Sequence, residues 1–215
     1  MTEPVLTATV ATLRPTDVPA AAALHSRAFP GFFLSSLGEP FLREFYAGFA
    51  HDPDAVTVVS RDGTGRLVGV VVGTVAPDRF YRRLLRRRGP WLARAVVGRA
   101  LRDPRAAWRL LRGLTHRGAV PVAAHGALLA SICVDPTAGQ AGHGRLLIER
   151  WWRAACEHGA TSAYLTTDAD DNDRVNRFYR RAGWTLAGAY VTREGRRMNC
   201  YTLVSSSRRR PPAAG

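Results

Sequence analysis

Lysine is missing from this chain of 215 residues: all 31 of its basic side chains are arginine. A nucleotide P-loop, which closes on Lys-Ser or Lys-Thr, is therefore excluded. Cysteine is scarce. Cys133, Cys156 and Cys200 stand too far apart for a metal knuckle or a redox pair, and their number is odd. Reduced thiols in a cytoplasmic protein are the simplest reading. Long apolar runs are lacking too: residues 67–76 supply only half of the ~20 residues that a spanning helix needs. The first ten residues lack the basic start and continuous apolar stretch of a secretory signal. What is present, 46% hydrophobic and 22% charged residues, is the composition of a folded globular chain that needs no disulfide or metal staple at this length.

The 17 acids leave a net charge of +14, and its distribution is uneven. Thirteen arginines and two aspartates fall within residues 78–118, Arg208, Arg209 and Arg210 lie in the tail, and the remaining 15 arginines and 15 acids cancel. One internal segment and the tail thus carry the whole net charge. A pure DNA-binding protein is disfavoured, since the rest is neutral and no nucleic-acid motif is recognisable; no specific nucleic acid is expected.

Hydrophobic periodicity divides the chain into strands over 5–13, 55–60, 66–75, 128–134, 163–167, 184–192 and 196–204. Thr16 or Asp17 is expected to cap an Ala-rich helix reaching Ala28. An aromatic turn at 29–33 precedes a helix over 39–49. The turn Asp62-Gly63-Thr64-Gly65 makes 55–75 a hairpin. Residues 82–116 read as a basic helical insertion, broken at Gly89-Pro90 and at Asp103-Pro104. Further helices are expected over 145–158 and 173–182, and residues 205–215 as a disordered basic tail.

Chemistry concentrates in the unit strand, Pro stop, Gly-rich loop, helix, strand, helix. A Gly-rich loop opening a helix offers backbone N–H groups and the positive end of the helix dipole, which together suit a pyrophosphate. Its three glycines do not fit the dinucleotide-binding spacing. Val134-Asp135-Pro136 followed by Gly142-His143-Gly144, and then Asn172, Val175, Phe178, Tyr179, Gly183 and Trp184, resemble the two motifs of the GNAT superfamily of N-acetyltransferases. Gly139 stands where the family has Arg or Gln, with Gln140 one position late; this removes one side chain but not the amide cradle.

The resemblance implies a GNAT-like α/β fold: a mixed, mostly antiparallel central sheet flanked by helices, within a domain of residues 1–204 carrying the insertion over about 78–118. It implies acetyl-CoA as cosubstrate, no metal, and transfer of acetyl to a primary amine of a small-molecule acceptor. Cofactor contacts fall on Ile132, Cys133 and Val134, whose strand edge pairs with the pantetheine arm. They continue through Gly139, Gln140, Ala141, Gly142, His143, Gly144 and Arg145, and include Asn172 and Phe178. Tyr179 is the implied proton donor to the departing sulfur, the bland alternative being an aromatic packed beside Phe178. Asn172 is otherwise a helix cap.

No acid lies within 128–134 to serve as general base; Asp168, His25, His125 and Glu39 are the candidates, beside a water chain. The run from Asp168 to Asp173 begins like a calcium loop, but Asp173 and Tyr179 occupy the places of its Gly and Glu, so calcium is rejected. Phe29–Phe33 and Phe41–Tyr46 either line an acceptor pocket or belong to the core. The basic insertion is either a lid packed on the sheet by Ala107, Trp108, Leu111 and Leu114, or a face for an anionic membrane, which would hold a cytoplasmic enzyme peripherally at the inner surface. A catalytically weak basic module binding anionic membrane or RNA is the alternative to an enzyme.

Overall fold

A computed structural model describes residues 9–30, 32–100, 124–138, 142–192 and 195–205. Its elements run β1 (Thr9–Ala11), α1 (Val18–Ala28), α2 (Phe33–Ser36), α3 (Glu39–Ala50), β2 (Ala55–Arg61), β3 (Leu67–Thr74), α4 (Pro77–Ala100), β4 (Ala127–Val134), α5 (His143–Glu157), β5 (Ser162–Asp168), α6 (Asp173–Arg181), β6 (Thr185–Val191) and β7 (Arg197–Val204). The seven strands form one sheet in the order β1-β2-β3-β4-β5-β7-β6. Every pair is antiparallel except β4 and β5, giving the mixed, helix-flanked sheet that the motifs implied.

All eight residues of β3 are buried, which is why its sequence is a continuous Val-rich run instead of an alternation. Helices cover both of its faces. On one side Val70 and Val72 meet Leu24 of α1, Phe41, Leu42, Phe45, Tyr46 and Phe49 of α3, and Phe80 and Leu84 of α4. The aromatics at 41–49 are therefore core, whereas Phe29 is half-buried and Phe32 is 43% exposed. On the other side Val56, Val58, Val71 and Leu129 meet Leu147, Ile148 and Trp151 of α5. The Trp151 indole also donates to the Val56 carbonyl at 3.0 Å, so its burial leaves no polar atom unsatisfied.

Three local expectations differ from the structure. Asp17 does not cap α1 with its side chain; it accepts from the Arg14 amide and the Arg61 guanidinium, closing a short 3-10 turn ahead of the helix. Helix α4 continues through Gly89-Pro90. The amide lost at Pro90 leaves the carbonyl of Arg86, an exposed position, free to meet water, while Leu84 and Leu92 hold both halves of the helix on the core. Helix α5 starts at His143, two residues early, and ends at Glu157. Asp103-Pro104, the apolar stripe at 107–114 and the tail beyond Ser205 lie outside the described residues.

Two glycines of β3 set how closely α5 approaches. A Cβ on Gly69 would fall 2.6 Å from Ser60 Oγ and 2.7 Å from Leu147 Cδ1; one on Gly73 would meet the Leu128 carbonyl and the Trp151 ring. Gly73→Ala should therefore destabilise the fold by about 3 kcal/mol through overpacking, read as a lowered urea midpoint; an unchanged midpoint would show that α5 is free to shift outward.

Candidate active site

The site begins with one residue too many in β4. Val134, Cys133, Ile132 and Ser131 pair in register with Gly69 to Val72 of β3, but the next partner of β3, Gly73, is Leu129. Ala130 is the extra residue of a β-bulge. It reverses which face successive side chains take: Ala127 and Leu129 lie in the α5-side core, whereas Cys133 lies in the α1/α3 core. Parallel pairing with β5 stops at the same place, being confined to Ala127↔Ala163 and Leu128↔Tyr164. Past Leu128 the strands diverge. From Leu129 to Val134 one edge of β4 has no strand partner among the described residues, and an amide-bearing chain lying in that gap would find the donors and acceptors a neighbouring strand would have used.

The loop at the mouth of the gap is built by Asp135. Its carboxylate is buried and accepts from the Thr137 amide at 2.9 Å, the Thr137 hydroxyl at 2.6 Å, Arg27 at 3.2 Å and Arg66 at 3.3 Å. The Thr137 bonds first, then Arg27, hold its pKa below the usual carboxylate range against the opposing effect of burial. Gly139, Gln140 and Ala141 lie outside the described residues. Gly142 then caps α5 with φ 75°, a left-handed conformation that favours glycine. The amides of His143, Gly144 and Arg145, in the helix's first turn, have no intrahelical acceptor.

The side chains of this turn point to separate tasks. The buried His143 ring approaches Ser60 Oγ at 3.4 Å, anchoring the turn to β2. Arg145 is exposed and pairs with Glu149. A Cβ on Gly144 would lie 3.4 Å from Phe178 and 3.9 Å from Val134. Val134, Gly144 and Phe178, which the motifs assigned to one cofactor, thus meet at one place.

Helix α6 is fastened to the far wall by asparagines. Asn172 makes no side-chain cap; its Nδ2 donates to Thr167 Oγ1 at 2.9 Å and to the Asp168 carbonyl at 3.0 Å, tying the helix to the end of β5. Asn176, not singled out from sequence, is the more central residue. It is 3% exposed, donates to the carbonyls of Asp168 and Asn172, and accepts from Asn199 and the Tyr201 hydroxyl, each at 2.9 Å. A polar residue one helical turn after Asn172, on the face that Tyr179 also occupies, was the available signal. Tyr179 packs against Phe178, Trp184 and Tyr201, and burial, with Tyr201 beside it, raises its pKa well above the ordinary tyrosine value.

The candidate bases are differently placed. Asp168 is held by Arg196 through contacts of 2.7 and 2.8 Å, and Glu39 is an exposed partner of Arg43. The His125 carbonyl accepts from Ser162. His25 is buried beside Phe29 and Tyr46, its Nδ1 sharing a hydrogen bond of 2.9 Å with the Tyr46 hydroxyl. That hydroxyl lies 3.7 Å from Cys133 Sγ on the bulged strand. Burial lowers the His25 pKa to about 4 and raises the Cys133 thiol to about 12. Both are neutral at pH 7.

A bulged β4 splayed from β5, with a glycine-capped helix terminus at the mouth of the gap, is an acyltransferase type of architecture. Residues 19–184 match the acetyltransferase (GNAT) family, and the chain belongs to that family: it is a GNAT-type acetyltransferase. SsHAT, in its crystal structure, is similar in fold, with a TM-score of 0.69 and 24% identity over 92% of this chain and 98% of that one. The Drosophila melanogaster polyamine N-acetyltransferase gives 0.57 and 15% over 92% and 100%. The Escherichia coli ribosomal-protein-S18-alanine N-acetyltransferase gives 0.54 and 17% over 92% and 93%. At these identities the likeness is one of fold. No curated protein matches the chain significantly.

The buried, neutral His25 has a signature in stability. The unfolded chain takes up its proton near pH 6.5 and the folded chain only near 4, so stability is complete above 6.5 and is lost as the pH falls through that window. His25→Gln keeps a partner for Tyr46 but does not titrate. Urea unfolding should therefore show the wild type losing about 3 kcal/mol relative to this variant between pH 7 and 4; parallel curves would contradict a buried neutral ring.

Proposed function

We propose that the protein moves an acetyl group from acetyl-CoA to a primary amine of a small-molecule acceptor. The observation that carries this reading is the unpaired β4 edge from Leu129 to Val134 running up to the free amides of α5. Ile132, Cys133 and Val134 would pair with the amides of the pantetheine arm, and the amides of His143, Gly144 and Arg145, with the loop at 139–142, would hold the pyrophosphate. Acetyl-CoA supplies an activated thioester carbonyl.

The chain's own groups then have modest work. A neutral amine forms the C–N bond as the C–S bond breaks, the amine gives up a proton to solvent, and the sulfur leaves as a thiolate of pKa near ~8.5, which needs little acid assistance. Tyr179, whose raised pKa keeps it protonated across the neutral range, donates its O–H to that sulfur. Among the described residues the hydroxyl has no protein partner competing for this bond. Phe178 and Val134 close the gap against water beside Gly144. Asn172 and Asn176 hold Tyr179 in place by joining α6 to β5 and β7. Residues 1–204 act as one catalytic domain in this reading, with no metal in the reaction. The free thiols Cys133, Cys156 and Cys200 support a reducing, cytoplasmic setting.

Titration with CoA and thiol release from acetyl-CoA over a panel of primary amines test the reaction. Tyr179→Phe should keep CoA affinity while turnover falls by roughly 10²–10⁴. Gly142→Asp should weaken CoA by roughly tenfold or more relative to Gly142→Asn, which has nearly the same shape and tolerance of positive φ but no charge. Thiol release by no amine, or equal CoA affinity in the two Gly142 variants, would contradict the reading.

A further inference from the structure

Helix α4 joins half of the protein's net charge to three exposed apolar side chains. Its 24 residues extend for about 36 Å at the usual rise. Phe80, Leu84 and Leu92 are buried against the core, and Phe80 stacks on Phe49 with ring centroids 4.3 Å apart. The opposite face presents Arg79, Arg82, Arg86, Pro90, Ala93 and Val97 at intervals of three and four residues. Of the seven exposed large hydrophobics among the described residues α4 carries three: Val97 on this face at 58% exposure, Leu85 on its flank and Trp91 on the side of Leu84. No other element carries so many.

The arginines divide into two groups. Toward α3, Arg83 is bound by Asp52 and Asp54, and Arg88 by Glu44. Arg82, Arg86, Arg87 and Arg94 have no carboxylate partner among the described residues, so their charge is uncompensated. On the side turned to α3, away from the outer face, Arg87, Arg88, His51 and Trp91 line an open cavity of about 420 Å³; Asp52, also in its wall, is already neutralised by Arg83.

We propose that the outer face of α4 docks the enzyme on an anionic phospholipid membrane. A polyanion alone would be met by the arginines, but it gives Pro90, Ala93 and Val97, exposed on the same face as Arg82 and Arg86, nothing apolar to enter. A bilayer interface satisfies both: headgroup phosphates meet the guanidinium groups, and the apolar side chains leave water. The charge map agrees, since the 78–118 segment carries the excess of 13 arginines over two acids and the chain outside it and the tail is balanced. Docking does not depend on the acetyl-transfer chemistry. No helix among the described residues is long and apolar enough to cross the bilayer, so the contact is peripheral.

The test is flotation of the full chain with phosphatidylcholine vesicles, with and without phosphatidylglycerol. Binding is expected only with the anionic lipid, and it should fade as salt rises. The triple variant Arg82→Gln, Arg86→Gln, Arg94→Gln should partition at least roughly tenfold less, with an unchanged urea midpoint showing it folded. Val97→Gln should lose about threefold or more at low salt, which purely electrostatic attraction would not. Absence of binding at low salt, equal binding to neutral vesicles, or wild-type partitioning of either variant would overturn the proposal. Displacement from the vesicles by equimolar RNA would overturn it too, making nucleic acid the partner.

Discussion

One extra residue in β4, Ala130, sits where its pairing with β5 ends. Its position in β4 decides three things together. It ends parallel pairing with β5 at Leu128, transfers Cys133 to the opposite core from Leu129, and leaves a backbone edge open where α5 and α6 begin. An open edge inside a sheet is normally a defect to be covered. Here its end at Val134 meets Gly144 in the first turn of α5 and Phe178 of α6, which flank the edge.

The surrounding packing keeps that geometry from relaxing. Gly69 and Gly73 let α5 sit directly on β3, and Trp151 ties the helix to β2 through the Val56 carbonyl. Asp135, bonded by Thr137, Arg27 and Arg66, stops β4 and begins the loop. On the far side, Asn176 joins α6 to β5 and β7 through three hydrogen bonds, which places Tyr179 on a helix that cannot rotate freely. Catalytic power in such a site rests on holding groups still more than on shifting their acidity. The burial of Tyr179, His25 and Cys133, each kept in its neutral form, is consistent with that.

The family motifs were legible because they are local. Gly142, with its left-handed φ, is read from a loop that opens a helix, and Phe178-Tyr179 from a short pattern on one helix face. The bulge was not legible: residues 128–134 form an uninterrupted apolar strand with neither Gly nor Pro to mark Ala130, and its existence depends on the register of β3. Pro90 misled in the other direction, since its local cost is overridden by Leu84 and Leu92 on either side. Asn172, read as a cofactor contact or else a cap, makes no cap; its Nδ2 donates to Thr167 and to the Asp168 carbonyl and tethers the helix to β5. His25 and Tyr46 lie 21 residues apart on different helices, and only their packing makes them a pair.

The central claim is that the open edge of β4 receives acetyl-CoA. Amide hydrogen exchange measured residue by residue, with and without saturating CoA, tests it most directly. Amides of residues 129–134 on the edge facing β5, and those of His143, Gly144 and Arg145, should gain protection of roughly tenfold or more, while Val56 to Val59 in β2 stay unchanged. CoA binding that leaves the 129–134 amides exchanging at their free rate would place the cofactor elsewhere and contradict the account.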